Sequence, residues 1–273
     1  MSPAKPASEQ FACGQTAEPP VGPELAPKPA RPDGAAGPAG SRLADHLPTL
    51  LRQAHIETVE LDVLHRRKSF QGGEVSTQAQ KITDPAREEH RRRGFGFWEF
   101  VLAESASTDS ETRLGLINGA LRHNSDEAIR VRLEREVFID RLGAGEYENL
   151  PPRDLVSFYS PVQVAGDERQ LHLPLLDLGV KLGLDGQSAT IDAMNALALS
   201  GLLFESGRSY HFYGAQPVPL SELVAVLARA QLLSPLVDSR WVSHQLIDGR
   251  CGLRISTDPE KTPLAPIFVA RVG

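Results

Sequence analysis

A few short stretches of this chain carry the side chains that metal and phosphate chemistry needs. "LPLLDLGVK" places Asp177 at the end of an apolar run, and "SGRSYHFYG" crowds Ser206, Arg208 and His211 between apolar flanks. "VDSRW" then brings Asp238, and "LRISTDPEK" brings Arg254, Ser256 and Lys261. Carboxylate oxygens hold hard divalent cations, whereas guanidinium, ammonium and hydroxyl groups donate to phosphate. An acidic strand, a Ser/His strand and an acid leading into a basic strand therefore fit a nucleoside triphosphate site. Taken singly, each residue also has an ordinary role. Asp177 can end a strand and cap the next loop, and His211 can be a satisfied, half-buried sheet residue. Asp238 can be a loop partner in a salt bridge, and Arg254 an exposed strand residue. Asp248 with Gly249 reads as a tight turn without chemistry.

Those residues need elements to hold them. "DLVSFYSPVQV", "QLHLPLLDLGVKL", "LLFESGRSYHFYG", "WVSHQLIDGRCGLRIST" and "APIFVARV" read as strands, with helices over "DGQSATIDAMNALALSG" and "PLSELVAVLARAQLL". Upstream, Leu43, Leu47, Leu50 and Leu51 recur at helical spacing, so a helix is expected through "SRLADHLPTLLRQAHIETVELDVLHRRKS". Residues 71–94, polar and led by glycine, read as a linker. "FGFWEFVLAE" reads as a strand, "TDSETRLGLINGALRHN" as a helix, and "SDEAIRVRLEREVFIDRLG" as a helix despite its alternating Ile129, Val131 and Leu133. The mixed order predicts an α+β fold with helices covering one face of a mainly antiparallel sheet.

Composition sets the outer bounds. Residues 1–40 are dominated by Pro, Ala and Gly and read as a disordered tail, followed by a helical segment and basic linker over 41–94 and a core over 95–273. No stretch approaches the roughly 20 apolar residues of a membrane span, so a soluble, cytoplasmic protein without membrane contact is expected. Cys13 and Cys251 make neither a disulfide framework nor a zinc site, and neither has the setting of a nucleophile. The formal charge of −6 argues against bulk nucleic-acid binding, although "HRRKSF" and "REEHRRRGFGFW" are local basic runs. Such runs read first as solvated faces. There is no Walker A lysine signature, dinucleotide fingerprint or G-x-S-x-G elbow.

In order, the acidic strand, "SGRSYHFYG" and "VDSRW" with "LRIS" resemble the motifs of the archaeo-eukaryotic primase superfamily, the primase-polymerases. The likeness is greatest to the bacterial primase 1D-like group and covers roughly residues 95–273. It implies an RRM-like core, with Asp177 and Asp238 as catalytic ligands of Mg²⁺ or Mn²⁺. Ser206, Arg208 and His211 would meet the nucleotide's phosphates, with His211 as a hydrogen-bond donor, and Arg254 and Lys261 would neutralise triphosphate charge. The implied reaction is nucleotidyl transfer for primer or DNA synthesis, with nucleoside triphosphate and DNA or RNA as partners, alongside proteins whose identity the sequence does not give. The family's first motif is acid, any residue, acid, whereas this chain has Asp177, Leu178, Gly179. That departure leaves a second expectation open: a catalytically degenerate, nucleotide- or nucleic-acid-binding subunit of a larger replication or defence assembly.

Overall fold

The computed structural model describes residues 41–65, 77–93, 96–121, 128–151, 154–257 and 265–273. The expected tail, the basic residues Arg66, Arg67 and Lys68, and Lys261 lie outside them. Helix α1 (Leu43–Gln53) begins where the Arg42 N–H donates to Asp45 Oδ2 at 2.7 Å and the Asp45 N–H donates to the Arg42 carbonyl at 3.0 Å. Leu43, Leu47, Leu50 and Leu51 are all buried, as their spacing requires.

The chain does not continue as a helix beyond Gln53. It turns through His55, at φ +52°, into strand β1 (Ile56–His65). Val59 and Leu61 pack into the core, while Glu60 and Asp62, between and beyond them, are buried by partners distant in sequence. Arg132 reaches Glu60 at 2.7 Å, and Arg250 grips both oxygens of Asp62 at 3.1 and 2.7 Å while lying 4.0 Å from the centre of the Tyr159 ring. Acids matched in this way disguise a strand from any count of apolar residues.

Two further expectations give way in the next segment. Residues 77–93 of the expected linker form helix α2 (Thr77–Arg93), and the expected strand "FGFWEFVLAE" is helix α3 (Phe97–Ser105). With α4 (Ser110–Leu121), they enclose a small separate core of Ala79, Ala86, Val101 and Leu116, lined by Ile82, Phe97, Trp98 and Phe100. Packing against two other helices thus overrides the β preference of the aromatics. The following stretch divides, because Ile129, Val131 and Leu133 pair with β1 as strand β2 (Ile129–Glu134) before helix α5 (Arg135–Gly143).

The remainder runs β3 (Asp154–Val164), β4 (Leu171–His172), β5 (Leu175–Leu178), α6 (Leu184–Ala196), β6 (Gly201–Glu205), β7 (Tyr210–Gly214), α7 (Leu220–Gln231), α8 (Ser239–Asp248), β8 (Gly252–Arg254) and β9 (Ile267–Val272). "LLFESGRSYHFYG" is therefore a hairpin rather than one strand. "WVSHQLIDG" is a helix, ended by Gly249 in the left-handed region at φ +65°. Asp248 accordingly closes that helix rather than forming a hairpin turn.

The fold is α+β, as expected, with its strands in two antiparallel sheets rather than one. The first has the order β2-β1-β3-β4, with β8 also pairing with β3; the second has the order β5-β7-β6-β9. A single apolar core joins them through rings: Tyr213 of β7 lies 6.2 Å from Phe158 of β3 and 5.4 Å from Phe204 of β6. From α1, His46 stacks on Phe268 of β9 at 3.7 Å. Among the described residues, no helix is long and apolar enough to cross a membrane. Cys251 is buried and its thiol is pushed up to about 12 by that burial, which suits packing and not nucleophilic attack.

Candidate functional site

Strand pairing puts the first two site residues side by side. Asp177 of β5 lies opposite His211 of β7, so both side chains leave the same sheet face, with His211 Nε2 3.7 Å from Asp177 Oδ1. Tyr210 and Phe212 point to the other face, where the Tyr210 hydroxyl donates to the Gly183 carbonyl at 2.9 Å and accepts from its N–H at 3.0 Å.

Asp238 arrives by a different route. The chain before α8 runs antiparallel to the end of β5: Leu178 bridges Val237, the Gly179 N–H donates to the Leu236 carbonyl at 2.8 Å, and the Asp238 N–H donates to the Asp177 carbonyl at 3.1 Å. Asp177 and Asp238 are opposite one another in that register, a pairing that sets Cβ atoms roughly 4.5–5.5 Å apart with side chains on one face. Asp238 is also the N-cap of α8, its Oδ1 accepting from the N–H groups of Arg240 and Trp241, both at 3.0 Å. Capping, rather than a loop salt bridge, is its structural task.

The same register explains Gly179. A Cβ there would stand 2.7 Å from the Pro235 carbonyl oxygen, so the position that the resemblance assigns to a second acid has no room for a side chain.

The basic side comes from β8. Arg254 lies on a strand of the first sheet, opposite Ser157, and its guanidinium crosses to the second sheet to donate to the Ser206 carbonyl at 2.7 Å and to the Ser256 carbonyl. Ser206 is buried. Its N–H donates to the Ser209 carbonyl at 2.9 Å and its hydroxyl faces the same turn, which Gly207 makes possible at φ +114°. Arg208 stands exposed at the tip of the turn. The buried Ser256 hydroxyl accepts from the Val156 N–H at 3.1 Å and so ties β8 to β3. Asp177, His211, Asp238 and Arg254 are thus brought together, whereas the Ser206 hydroxyl is turned into its own loop.

Electrostatics distinguish these groups. Burial raises the Asp177 carboxyl to about 7, the nearby Asp238 charge adds to the rise and Arg254 opposes it, although 28% of the side chain remains open to solvent. Burial, and after it Arg254, lowers His211 to about 3, so the imidazole is neutral at physiological pH. A neutral imidazole can donate to a phosphate oxygen without carrying charge into the core. A carboxyl balanced near neutrality is where a cation exerts the most leverage, because binding it completes the ionisation.

Two opposed carboxylates suit a single hard cation that takes its other ligands from phosphate and water. Among the described residues, no group of three His, Cys, Asp or Glu side chains is arranged to hold a metal by itself. Tyr213, which the sequence does not single out, shares a face of β7 with His211 and is buried.

A family model described as archaeo-eukaryotic primase 1D-like matches residues 136–267, a span that includes Asp177, Ser206, His211, Asp238 and Arg254. No curated protein and no solved structure matches the chain.

Proposed function

We propose, from the match of residues 136–267 to the archaeo-eukaryotic primase 1D-like family model, that this chain binds a nucleoside triphosphate together with one Mg²⁺ or Mn²⁺ and transfers its nucleotidyl group to a nucleic-acid 3′ hydroxyl. The observation that carries this reading is the convergence of Asp177, Asp238, His211 and Arg254 from four separate elements onto one face. Asp177 and Asp238 would hold the cation, which when bound would polarise the reacting phosphate and balance its charge. Neutral His211 donates to a phosphate oxygen. Arg254 supplies fixed positive charge at the seam between the sheets, and the exposed Arg208 adds to it at the tip of the turn. The 3′ hydroxyl would attack the α-phosphorus, forming an oxygen–phosphorus bond as the bond to the pyrophosphate leaving group breaks.

Primer extension tests this directly. A labelled primer–template, either deoxynucleotides or ribonucleotides, and Mg²⁺ or Mn²⁺ should give elongated product with the wild type and none with Asp177→Asn. No extension under any of these conditions contradicts the transferase reading.

Gly179 favours a second reading. With the adjoining acid excluded by Pro235 and one Asp238 oxygen engaged in capping, the site would keep nucleotide as a ligand without turning it over. Nucleotide binding that needs no metal, combined with absent extension, is its signature.

A further inference from the structure

Strand β2 ends the first sheet, and among the described residues only β1 pairs with it. Other outer strands carry a second neighbour: isolated bridges tie β4 to Val218, β5 to Val237 and β9 to Arg42. β2 is six residues long, pairs with β1 without a register shift and contains no proline, so neither a bulge nor a missing N–H blunts its outer edge. The helix that follows leaves the edge open as well. The Arg135 guanidinium donates to the Ile56 carbonyl at 2.8 Å and Arg52 donates to Glu136 at 2.6 Å, which carries α5 back over β1 and α1.

The side chains of this edge are matched to one another. Arg130, Arg132 and Glu134 share one face by the two-residue strand period, and the half-buried Val131 and Leu133 share the other. Arg132 is held by Glu60 at 2.7 Å. Arg130 is held loosely: its Nε lies 3.9 Å from Asp62, whose two oxygens Arg250 already grips, and its side chain is 59% exposed. The Glu134 side chain is exposed and makes no capping bond to α5. A loosely held cation and a carboxylate outside the cap thus stand symmetrically on either side of Arg132.

We propose that the outer edge of β2 pairs antiparallel with β2 of a second copy of this chain, about a two-fold axis through Arg132, so that the first sheets of two copies run together. This register sets Arg130 of each copy opposite Glu134 of the other, and Val131 opposite Leu133. Arg132 meets itself on the axis, where Glu60 of each copy already neutralises it. Ile129, 69% exposed, comes to the end at which β2 of the other copy passes into α5. Neighbouring registers fit less well. Centring on Val131 opposes Arg130 and Arg132 twice, a like-charge arrangement, and centring on Leu133 pairs only residues 132–134. Backbone pairing over so short an edge falls at the small end of specific interfaces, so the dimer is weak and concentration-dependent.

Sedimentation velocity of the full chain over a wide concentration range tests this. The wild type should pass from monomer to dimer as concentration rises. Arg130→Glu and Glu134→Arg should each weaken dimerisation by about tenfold, since each turns two attractive cross-strand pairs into two repulsive ones. Combining Arg130→Glu with Glu134→Arg rebuilds both pairs with reversed sign and should recover dimerisation, a rescue that damage to the fold cannot produce. A wild type that stays monomeric at every concentration overturns the proposal and leaves the edge to a strand from another protein. A dimer that neither single substitution weakens overturns it too, as does a double variant no better than the single ones.

Discussion

The Asp238 N–H donates to the Asp177 carbonyl at 3.1 Å across a short antiparallel bridge, and this backbone contact puts the two acidic residues opposite one another. Strand geometry therefore assembles the acidic pair before any cation binds. Burial first, and the neighbouring Asp238 charge second, raise the Asp177 carboxyl to about 7, and several predictions depend on that value.

Asp177→Asn should stabilise the metal-free protein at pH 8. Because the folded pKa of Asp177 lies above the unfolded value, the native state holds the extra proton, and stability falls as pH rises from about 4 to about 7. The isosteric amide removes that loss. Thermal melts should show the variant above the wild type at pH 8 and level with it at pH 4.

Acid should act on His211 in the opposite sense. Its folded pKa of about 3 lies below the unfolded value, so its contribution is intact above about pH 6.5 and is lost as pH falls towards 3. Replacing it with the uncharged His211→Gln should flatten the decline of the melting temperature between pH 6 and pH 4.

Asp238 serves two purposes that substitution can separate. Asp238→Ala loses the cap of α8 and should cost about 0.5–2 kcal/mol in urea denaturation. Asp238→Ser keeps a capping oxygen and should lose little stability, while both variants lose cation binding. Equal cation affinity in wild type and Asp238→Ser would remove Asp238 from the metal site.

Restoring the missing acid should fail. Gly179→Asp places a Cβ 2.7 Å from the Pro235 carbonyl, and the backbone must shift, at a cost of about 1–3 kcal/mol typical of overpacking. The urea midpoint should drop without any gain in cation affinity.

Much of this site was legible in the sequence because its residues lie in short motifs on strands whose register is local. Asp177, His211, Asp238 and Arg254 could be named together before their geometry was known. What could not be read depends on contacts distant in sequence. Glu60 and Asp62 conceal β1 because Arg132 and Arg250 neutralise them from elsewhere in the chain. Phe97, Trp98 and Phe100 carry β preference, yet they pack between helices α2 and α4. The acid-free Gly179 was visible as a departure, but its cause, the Pro235 carbonyl, was not. "LLFESGRSYHFYG" reads as one strand from its apolar and aromatic residues, whereas Gly207, at φ +114°, lies in the turn between two strands.

The central claim is that Asp177 and His211 hold a metal–nucleotide pair, and calorimetry of nucleoside triphosphate binding with and without Mg²⁺ or Mn²⁺ tests it most directly. With its pKa raised to about 7, the Asp177 carboxyl is partly protonated at pH 7, so cation binding to the wild type should release protons, seen as a dependence of the heat on buffer ionisation. The account predicts metal-dependent binding with that proton release, and its loss in both Asp177→Asn and His211→Ala. Metal-independent binding that survives both substitutions, with no proton release, would contradict it.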